Sequence, residues 1–374
     1  MDRSTGRPTD RAAKPPFRAD HVGSLLRPAG LAEARARWRA GRLPLADLGV
    51  IEDDAVREVV RRQEQIGLRA VTDGEFRRDW WHLDFLVELD GVTSVANPGP
   101  RFAGTEEQPP IAVVVGKVGC SRPILTAPFE FLASVATQMP KVTIPSPSML
   151  HLRGGRNAIA REVYPDLDEF WNDVAVAYRR AIAAFAASGC RYLQLDDVAF
   201  AYLCDPKVRE ACRRNGDDPA ELPQRYAATI NAALADRPAD MTVTMHTCRG
   251  NFKSAWVAEG GYESVAEAMF AVGVDAFFME FDSDRSGTFE PLRLLPASKT
   301  VVLGLVTTKV GVLEDRDALK RRIDAAATYV PLERLCLSPQ CGFSSTHHGN
   351  ALSDDEQWRK LELIVATARE VWGD

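Results

Sequence analysis

The sequence of 374 residues lacks an apolar run as long as the roughly 20 residues that a membrane-spanning helix requires. It also lacks the apolar core of a secretory signal, because its opening stretch, MDRSTGRPTDRAAKPP, is polar and basic. We therefore expect no membrane association, a disordered leader over residues 1–16 and one folded domain over residues 17–374.

An excess of positive charge is also absent. The chain carries 46 Lys and Arg residues against 52 Asp and Glu residues, and no long basic run occurs. Proteins that bind nucleic acid usually concentrate basic residues on one face. Nucleic acid is therefore not an expected partner.

A disulfide framework is not indicated either, because the seven cysteines show no spacing typical of one. An odd number of thiols in a chain of this length favours a reducing compartment, so we expect a cytoplasmic protein. Five of the cysteines are expected to be small buried apolar residues: Cys120, Cys190, Cys204, Cys212 and Cys336.

The sequence is rich in short apolar segments that alternate with helical patterns. Eight candidate strands lie at 18–24, 68–74, 141–146, 191–197, 241–247, 275–281, 300–307 and 334–342. Most are continuously apolar, as is typical of parallel strands buried on both faces. Helical patterns lie at 50–67, 166–189, 262–273, 315–330 and 352–373.

This alternation predicts an α/β fold, a (β/α)8 TIM barrel. The interval from about residue 86 to about residue 125 interrupts the rhythm and predicts a β-hairpin inserted after strand 2. A doubly wound open sheet is the alternative architecture, because periodicity alone does not show whether a sheet closes.

Polar side chains end six of the eight predicted strands. They are Asp20, His21, Ser24, Asp73, Glu75, Gln194, Asp196, Asp197, His246, Cys248, Glu280, Asp282 and Cys341. In a TIM barrel the carboxyl ends of all strands surround one mouth, where catalytic groups gather. The sequence therefore predicts a single site built from these strand ends.

Four of these residues form a candidate metal site: His246, Cys248, Glu280 and Cys341. One imidazole, two thiols and one carboxylate suit Zn²⁺, which accepts nitrogen, sulfur and oxygen ligands in a tetrahedral shell. Glu280 ends an otherwise apolar strand, where an unpaired charge is costly, and a metal ion would supply the opposite charge.

The segments that carry these residues, HTCRGN, DAFFMEFDSD and SPQCGF, resemble the zinc-ligand segments of the catalytic barrel of cobalamin-independent methionine synthase. The resemblance implies that His246, Cys248, Glu280 and Cys341 are zinc ligands. It extends over nearly the whole chain from about residue 17.

Three upstream segments extend the resemblance to a substrate site. DHVGSLLRP resembles the segment that binds the amino-acid carboxylate and implies this role for Ser24. TDGEF and LQLDD resemble segments that bind the substrate ammonium and imply Glu75 and Asp196. The implied substrate is homocysteine or a similar thiol, with methyltetrahydrofolate or a methylcobalamin carrier as methyl donor. His21 is a candidate catalytic proton shuttle, and a structural histidine is the alternative.

The chain departs from the family pattern in three ways. It has about half the length of the two-barrel enzymes and resembles a shorter single-barrel branch, which includes zinc thiol-alkyltransferases of the epoxide:coenzyme M type. Residues 144–153, IPSPSMLHLR, contain no Trp where the family places one against the folate ring. His347 and His348 replace an acidic pair. The methyl donor therefore stays open.

Two other kinds of protein remain as alternatives. A barrel glycoside hydrolase would use Glu75 and Asp196 as its paired carboxylates, but would leave the metal-type residues unexplained. A purely structural zinc site would have a closed shell of four protein ligands. A homodimer is expected only because symmetric dimers are common.

Overall fold

The structure, a computed structural model, describes residues 14–97 and 108–373. Residues 1–13 of the predicted leader lie outside the described residues, as do residues 98–107 of the predicted insertion and Asp374.

A six-stranded parallel sheet forms the centre of the fold. Four short strands precede it in the chain: β1 (Ala70–Val71), β2 (Asp90–Val95), β3 (Ile111–Gly119) and β4 (Met139–Pro140). The sheet strands are β5 (Val142–Pro145), β6 (Tyr192–Asp197), β7 (Thr242–Thr247), β8 (Ala276–Glu280), β9 (Thr300–Val306) and β10 (Leu335–Pro339). They pair in sequence order from β5 to β10, so consecutive strands are neighbours and their carboxyl ends share one edge. The predicted parallel α/β architecture is thereby confirmed.

The two predicted strands at the start of the chain form only short pairings. Residue Ala19 makes a single parallel bridge to Leu337 of β10, and β1 pairs in parallel with β4, which directly precedes β5. Side-chain bonds supplement these pairings, since Thr72 Oγ1 donates to the Gly23 carbonyl at 2.6 Å. The first segment is therefore held at the sheet edge by few backbone bonds.

Eleven helices occur in the described parts of the chain. They are α1 (Ala29–Arg39), α2 (Leu45–Gln65), α3 (Leu83–Leu86), α4 (Thr126–Val135), α5 (Leu167–Ala187), α6 (Ala199–Tyr202), α7 (Pro206–Arg214), α8 (Leu222–Ala233), α9 (Ala266–Phe270), α10 (Arg316–Ala327) and α11 (Asp354–Trp372). Side-chain caps fix several starts: Ser353 and Glu356 form a capping box on α11, and Asp166 and Asp315 cap α5 and α10.

The predicted helix at 262–273 is broken. A 3-10 turn over Tyr262–Ser264 is followed at once by the short helix α9, and Val265 between them has φ −126°, outside the helical range. Val265 is buried, so packing of this β-branched residue competes with a continuous helix.

An antiparallel pair lies within the interval predicted as an inserted hairpin. β2 pairs with β3, with Val92 opposite Val114. Gly91 has φ +74°, and a side chain there would overlap the backbone of Gly116 and Lys117, so glycine is required. The residues that link the two strands include the undescribed 98–107, so the insertion itself stays a prediction.

The core surrounds the central sheet. All residues of β6 and β8 are buried, as expected of mostly apolar strands covered on both faces, and the buried set includes Gln194 within β6. No helix in residues 14–97 or 108–373 combines the length and apolarity that a membrane crossing needs.

Candidate active site

A cavity opens at the carboxyl edge of the central sheet. It encloses about 580 Å³ between the surrounding atoms, part of it open to solvent. The predicted site residues that line it are Ser24, Glu75, Asp196, Asp197, His246, Cys248 and Cys341. His21 and Glu280 are not among the described residues that line it. Parallel pairing explains this convergence, because Asp196 and His246 are direct partners on β6 and β7.

His246, Cys248 and Cys341 form a compact group of metal-type ligands. Their ligand atoms all lie within 4.8 Å of one another, and all three residues are buried. His246 lies on β7, Cys248 follows the end of that strand, and Cys341 follows β10. One imidazole and two free thiols are a donor set that zinc accepts, so the residues present fit the implied metal.

The two thiols are coupled through one proton. Their sulfur atoms lie 3.4 Å apart. Their shared hydrogen bond lowers the pKa of Cys341 to about 6 and raises the pKa of Cys248 well above its ordinary value. One thiol therefore donates to the other as a thiolate, and metal ligation requires the thiolate form.

Glu280 is close to this group but has another partner. It is fully buried, its carboxylate forms an ion pair with Arg285, and it accepts the Arg249 N–H at 3.0 Å. Burial alone would raise the pKa of Glu280, but Arg285, Lys309 and Arg249 together lower it. The positive charge that the sequence assigned to a metal is thus supplied by Arg285, whose only sequence signal was its position shortly after the strand.

His246 is oriented by two neighbours. Its Nδ1 lies 3.4 Å from Asp196 Oδ1 and its Nε2 lies 3.1 Å from the Gln340 carbonyl. Although burial lowers its pKa, Asp196 and Cys341 raise the pKa of His246 to about 9. Asp196 also accepts a hydrogen bond from Gln194 at 2.6 Å. Carboxylate partners of this kind commonly orient metal-binding histidines.

Glu75 and Ser24 both line the cavity. Thr143 Oγ1 donates to Glu75 at 2.7 Å, and Arg78 lies 3.8 Å from the same carboxylate oxygen. Burial raises the pKa of Glu75 to about 7 against the influence of Arg78, and the nearby Asp196 raises it further. A side chain at Gly342 would overlap Ser24 Oγ, so glycine allows this close approach.

His21 packs outside the cavity lining. It is 1% exposed, and its Nε2 lies 3.3 Å from the Ala70 carbonyl. Burial, with Lys141 adding to it, lowers the pKa of His21 to about 4, so the ring is neutral at pH 7. Lys141 in turn pairs with Asp20 at 3.2 Å. The structure therefore places His21 outside the cavity lining, and its role as a catalytic proton shuttle stays a prediction.

Aromatic residues form a further part of the wall. Trp80, Trp81 and Phe252 line the cavity. Backbone hydrogen bonds connect the loop after β10 to the loop that carries Trp80. The N–H of Trp81 donates to the Ser345 carbonyl, and the N–H of His347 donates to the Asp79 carbonyl. His347 and His348 both contact the Trp80 ring edge-on and do not line the cavity.

Arg153 and Tyr202 also line the cavity, and neither was among the predicted site residues. The ion-pair partner of Glu75 in the structure is Arg78. The sequence offers little signal for Arg153 or Tyr202, because they lie outside the strand ends.

Comparison with known proteins places the chain in one family. A family model described as the catalytic domain of cobalamin-independent synthase matches residues 17–369. The uncharacterized protein YxjH of Bacillus subtilis (strain 168) is 47% identical over 371 residues, and the match covers 98% of each chain. A solved structure from Listeria monocytogenes, proposed to be a vitamin-B12-independent methionine synthase, has a TM-score of 0.78 and 38% identity, with 96% of this chain and 99% of that chain covered.

A more distant relative has a named activity. The 5-methyltetrahydropteroyltriglutamate–homocysteine methyltransferase of Halalkalibacterium halodurans is 21% identical over 350 residues. The match covers 93% of this chain but 42% of that relative, so this chain spans less than half of the longer enzyme. The family that the motifs predicted is confirmed: the chain belongs to the cobalamin-independent methionine synthase family, and it is an enzyme of that methyltransferase family.

Proposed function

We propose that this enzyme transfers a methyl group to the thiol of homocysteine to form methionine, with zinc as its metal. The observation that carries the proposal is the convergence of His246, Cys248 and Cys341 in the cavity that Glu75 and Asp196 also line. Soft ligands and paired carboxylates in one cavity suit a substrate that has both a thiol and an ammonium group.

We also propose that the sheet closes into a TIM barrel within a single domain. The bridge from Ala19 to Leu337 supports closure on one side, and the β1–β4 pair next to β5 supports it on the other. In this geometry one mouth gathers the strand ends, as the cavity requires.

Three residues are the proposed protein ligands of the metal: His246, Cys248 and Cys341. Glu280 is proposed as the fourth ligand, and in that role its carboxylate would exchange Arg285 for the metal. Bound Zn²⁺ would supply the positive charge that keeps a substrate thiol in its nucleophilic thiolate form at neutral pH. Asp196 holds the imidazole of His246 in a fixed orientation.

Glu75 and Asp196 would bind the ammonium group of homocysteine, and the hydroxyl of Ser24 would bind its carboxylate. Thr143 and Arg78 hold Glu75 in place, so the ammonium group meets a carboxylate that is already positioned. The thiolate sulfur then attacks the methyl carbon, the bond from the methyl group to the donor breaks, and the donor leaves with the electron pair.

The remaining space in the cavity would hold the methyl donor, a methylated folate or a methylcobalamin carrier. Trp80, Trp81 and Phe252 give this part an apolar surface, which limits the access of water to the transferred group.

The test is methionine formation by the zinc-loaded chain from homocysteine with each donor in turn. We expect methionine from the unmodified chain and none from Cys341→Ser, which should also lose most of its zinc, because two thiolates become one. Cys336→Ser is the matched control, since Cys336 is buried on β10 and is not one of the cavity residues. Absence of zinc from the purified chain, or full activity of Cys341→Ser, would contradict the proposal.

A further inference from the structure

Arg27 is a partly buried arginine whose guanidinium bonds to two loops of the site at once. Its Nη1 donates to the Ser344 hydroxyl at 2.6 Å and to the Thr346 carbonyl at 3.1 Å. Its Nη2 donates to the Glu75 carbonyl at 2.9 Å and to the Arg78 carbonyl at 2.6 Å. These acceptors are uncharged oxygens, so the guanidinium serves here as a rigid set of hydrogen-bond donors.

The guanidinium of Arg27 stays charged although it is withdrawn from water. Burial lowers its pKa to about 10, while the charge of Glu75 raises it, so Arg27 is protonated at pH 7. Removing a charge from water is costly, and the hydrogen bonds to the two loops offset this cost. The planar fork of arginine can bond two separate segments, which the single nitrogen of lysine cannot do with the same geometry. The bonds of this one side chain therefore hold the two loops together.

Each of the two loops carries a residue of the candidate site. One loop contains Glu75, which has φ +59°, a left-handed conformation that a residue other than glycine rarely adopts. Arg27 bonds the carbonyl of this same residue and so helps to hold its backbone in that conformation. The other loop follows β10 and contains Cys341, three residues before Ser344. Arg27 therefore connects the residue proposed to bind the substrate ammonium with a residue proposed to bind the metal.

Backbone bonds anchor the segment from which Arg27 extends. The N–H of Leu25 donates to the Gly74 carbonyl at 3.1 Å, and the N–H of Phe343 donates to the Ser24 carbonyl at 2.9 Å. The segment is thus bonded to the same two loops that the guanidinium bonds. The relative positions of the two loops therefore depend on this segment and on the side chain of Arg27.

We propose that Arg27 is a positioning residue that sets the separation between Glu75 and Cys341 and so selects the carbon-chain length of an aminothiol. This inference rests on the proposed function. A substrate that is held at both its ammonium group and its sulfur atom fits only one separation of the two sites. Cysteine is one methylene group shorter than homocysteine, and a missing methylene group weakens binding about tenfold or more.

The test is calorimetric titration of the zinc-loaded full chain with homocysteine and with cysteine. The native chain should bind homocysteine about tenfold or more tightly than cysteine. Arg27→Lys keeps the charge but loses the fork, so this ratio should fall to about threefold or less, mainly through weaker binding of homocysteine. Arg156→Lys is the matched control, because Arg156 also donates to two backbone carbonyls, those of Ile159 and Tyr164, and is not among the described residues that line the cavity. It should keep the native ratio.

A second variant keeps the test decisive if Arg27→Lys does not fold. Ser344→Ala removes one acceptor of the same guanidinium and should lower the ratio by a smaller factor. Urea unfolding of every variant separates selection from loss of stability, because a site that is only loosened should bind both thiols more weakly by the same factor.

Four results would overturn the inference. These are an unchanged ratio in folded Arg27→Lys or, if that variant does not fold, in Ser344→Ala, equal weakening of both thiols, a comparable fall of the ratio in Arg156→Lys, and a native chain that binds both thiols equally. The proposed function fails by a different observation, namely no methyl transfer to homocysteine from any donor, including methylcobalamin.

Discussion

At the scale of single residues, the charges of the site are arranged in pairs that leave specific groups available to ligands. Asp196 is beside His246, Arg285 is beside Glu280, and Cys248 shares a proton with Cys341. Among the described residues, the carboxylate of Glu75 has Thr143 and the more distant Arg78 as partners, so it can accept a substrate ammonium group.

The role of Glu75 predicts a defined effect of its substitution. Glu75→Gln should raise the KM for homocysteine at least tenfold at pH 8, because an ionic hydrogen bond becomes a neutral one, while zinc content stays unchanged. Since burial raises the pKa of Glu75 to about 7, the native KM should fall as pH rises through 7 and then level off. Steady-state kinetics between pH 6 and pH 8.5 would measure both effects. A Gln variant that keeps the native pH dependence would contradict the assignment.

The burial of His21 in its neutral form predicts that the stability of the fold decreases in acid. Its folded pKa of about 4 lies below the unfolded value of 6.5, so the unfolded chain binds the proton more readily. The stabilisation is fully present above pH 6.5 and is lost as pH falls toward 4, by about 3 kcal/mol in total. Urea unfolding at pH 7 and pH 4.5 should show a smaller loss for His21→Gln than for the native chain. Equal losses would show that His21 is not buried in its neutral form.

At the scale of elements, the sequence predicts the strands of the central sheet more accurately than the segments at the start of the chain. The strands β5 to β10 lie within predicted segments because each is a buried apolar run between turns. The segments 18–24 and 68–74 form only a bridge and a two-residue strand, because side-chain bonds such as Thr72 to Gly23 replace backbone pairing there. Such bonds join residues far apart in sequence and leave no periodic pattern.

The loop after β10 gives a prediction at this scale. Gly342 packs so closely on Ser24 that a methyl group would overlap the hydroxyl oxygen. Gly342→Ala should destabilise the fold by about 1–3 kcal/mol through overpacking and should raise the KM for homocysteine as Ser24 moves. Gly49→Ala is the matched control, because nothing lies within 4 Å of a methyl group there and alanine favours helix α2, so it should stabilise the fold slightly. If the Gly342→Ala variant keeps the native free energy of unfolding, the close packing of Gly342 on Ser24 is contradicted.

At the scale of the whole molecule, the zinc-type residues join parts of the chain that are far apart. Cys248 and Cys341 are 93 positions apart in sequence, and β8 and β9 lie between their strands in the sheet. The sequence predicted this meeting because strand ends share one edge in a parallel sheet. It missed Arg153 and Arg285, because cavity lining and ion pairs depend on how loops fold over that edge.

The most direct test of the account is X-ray absorption at the zinc edge of the full chain, with and without homocysteine. Without substrate, the fitted shell should contain two sulfur atoms, from Cys248 and Cys341, together with nitrogen or oxygen ligands. Homocysteine should add a third sulfur atom, whereas homoserine, which carries oxygen in place of sulfur, should add none. A zinc shell that homocysteine leaves unchanged, or a purified chain without zinc, would contradict a zinc-activated thiol as the centre of this enzyme.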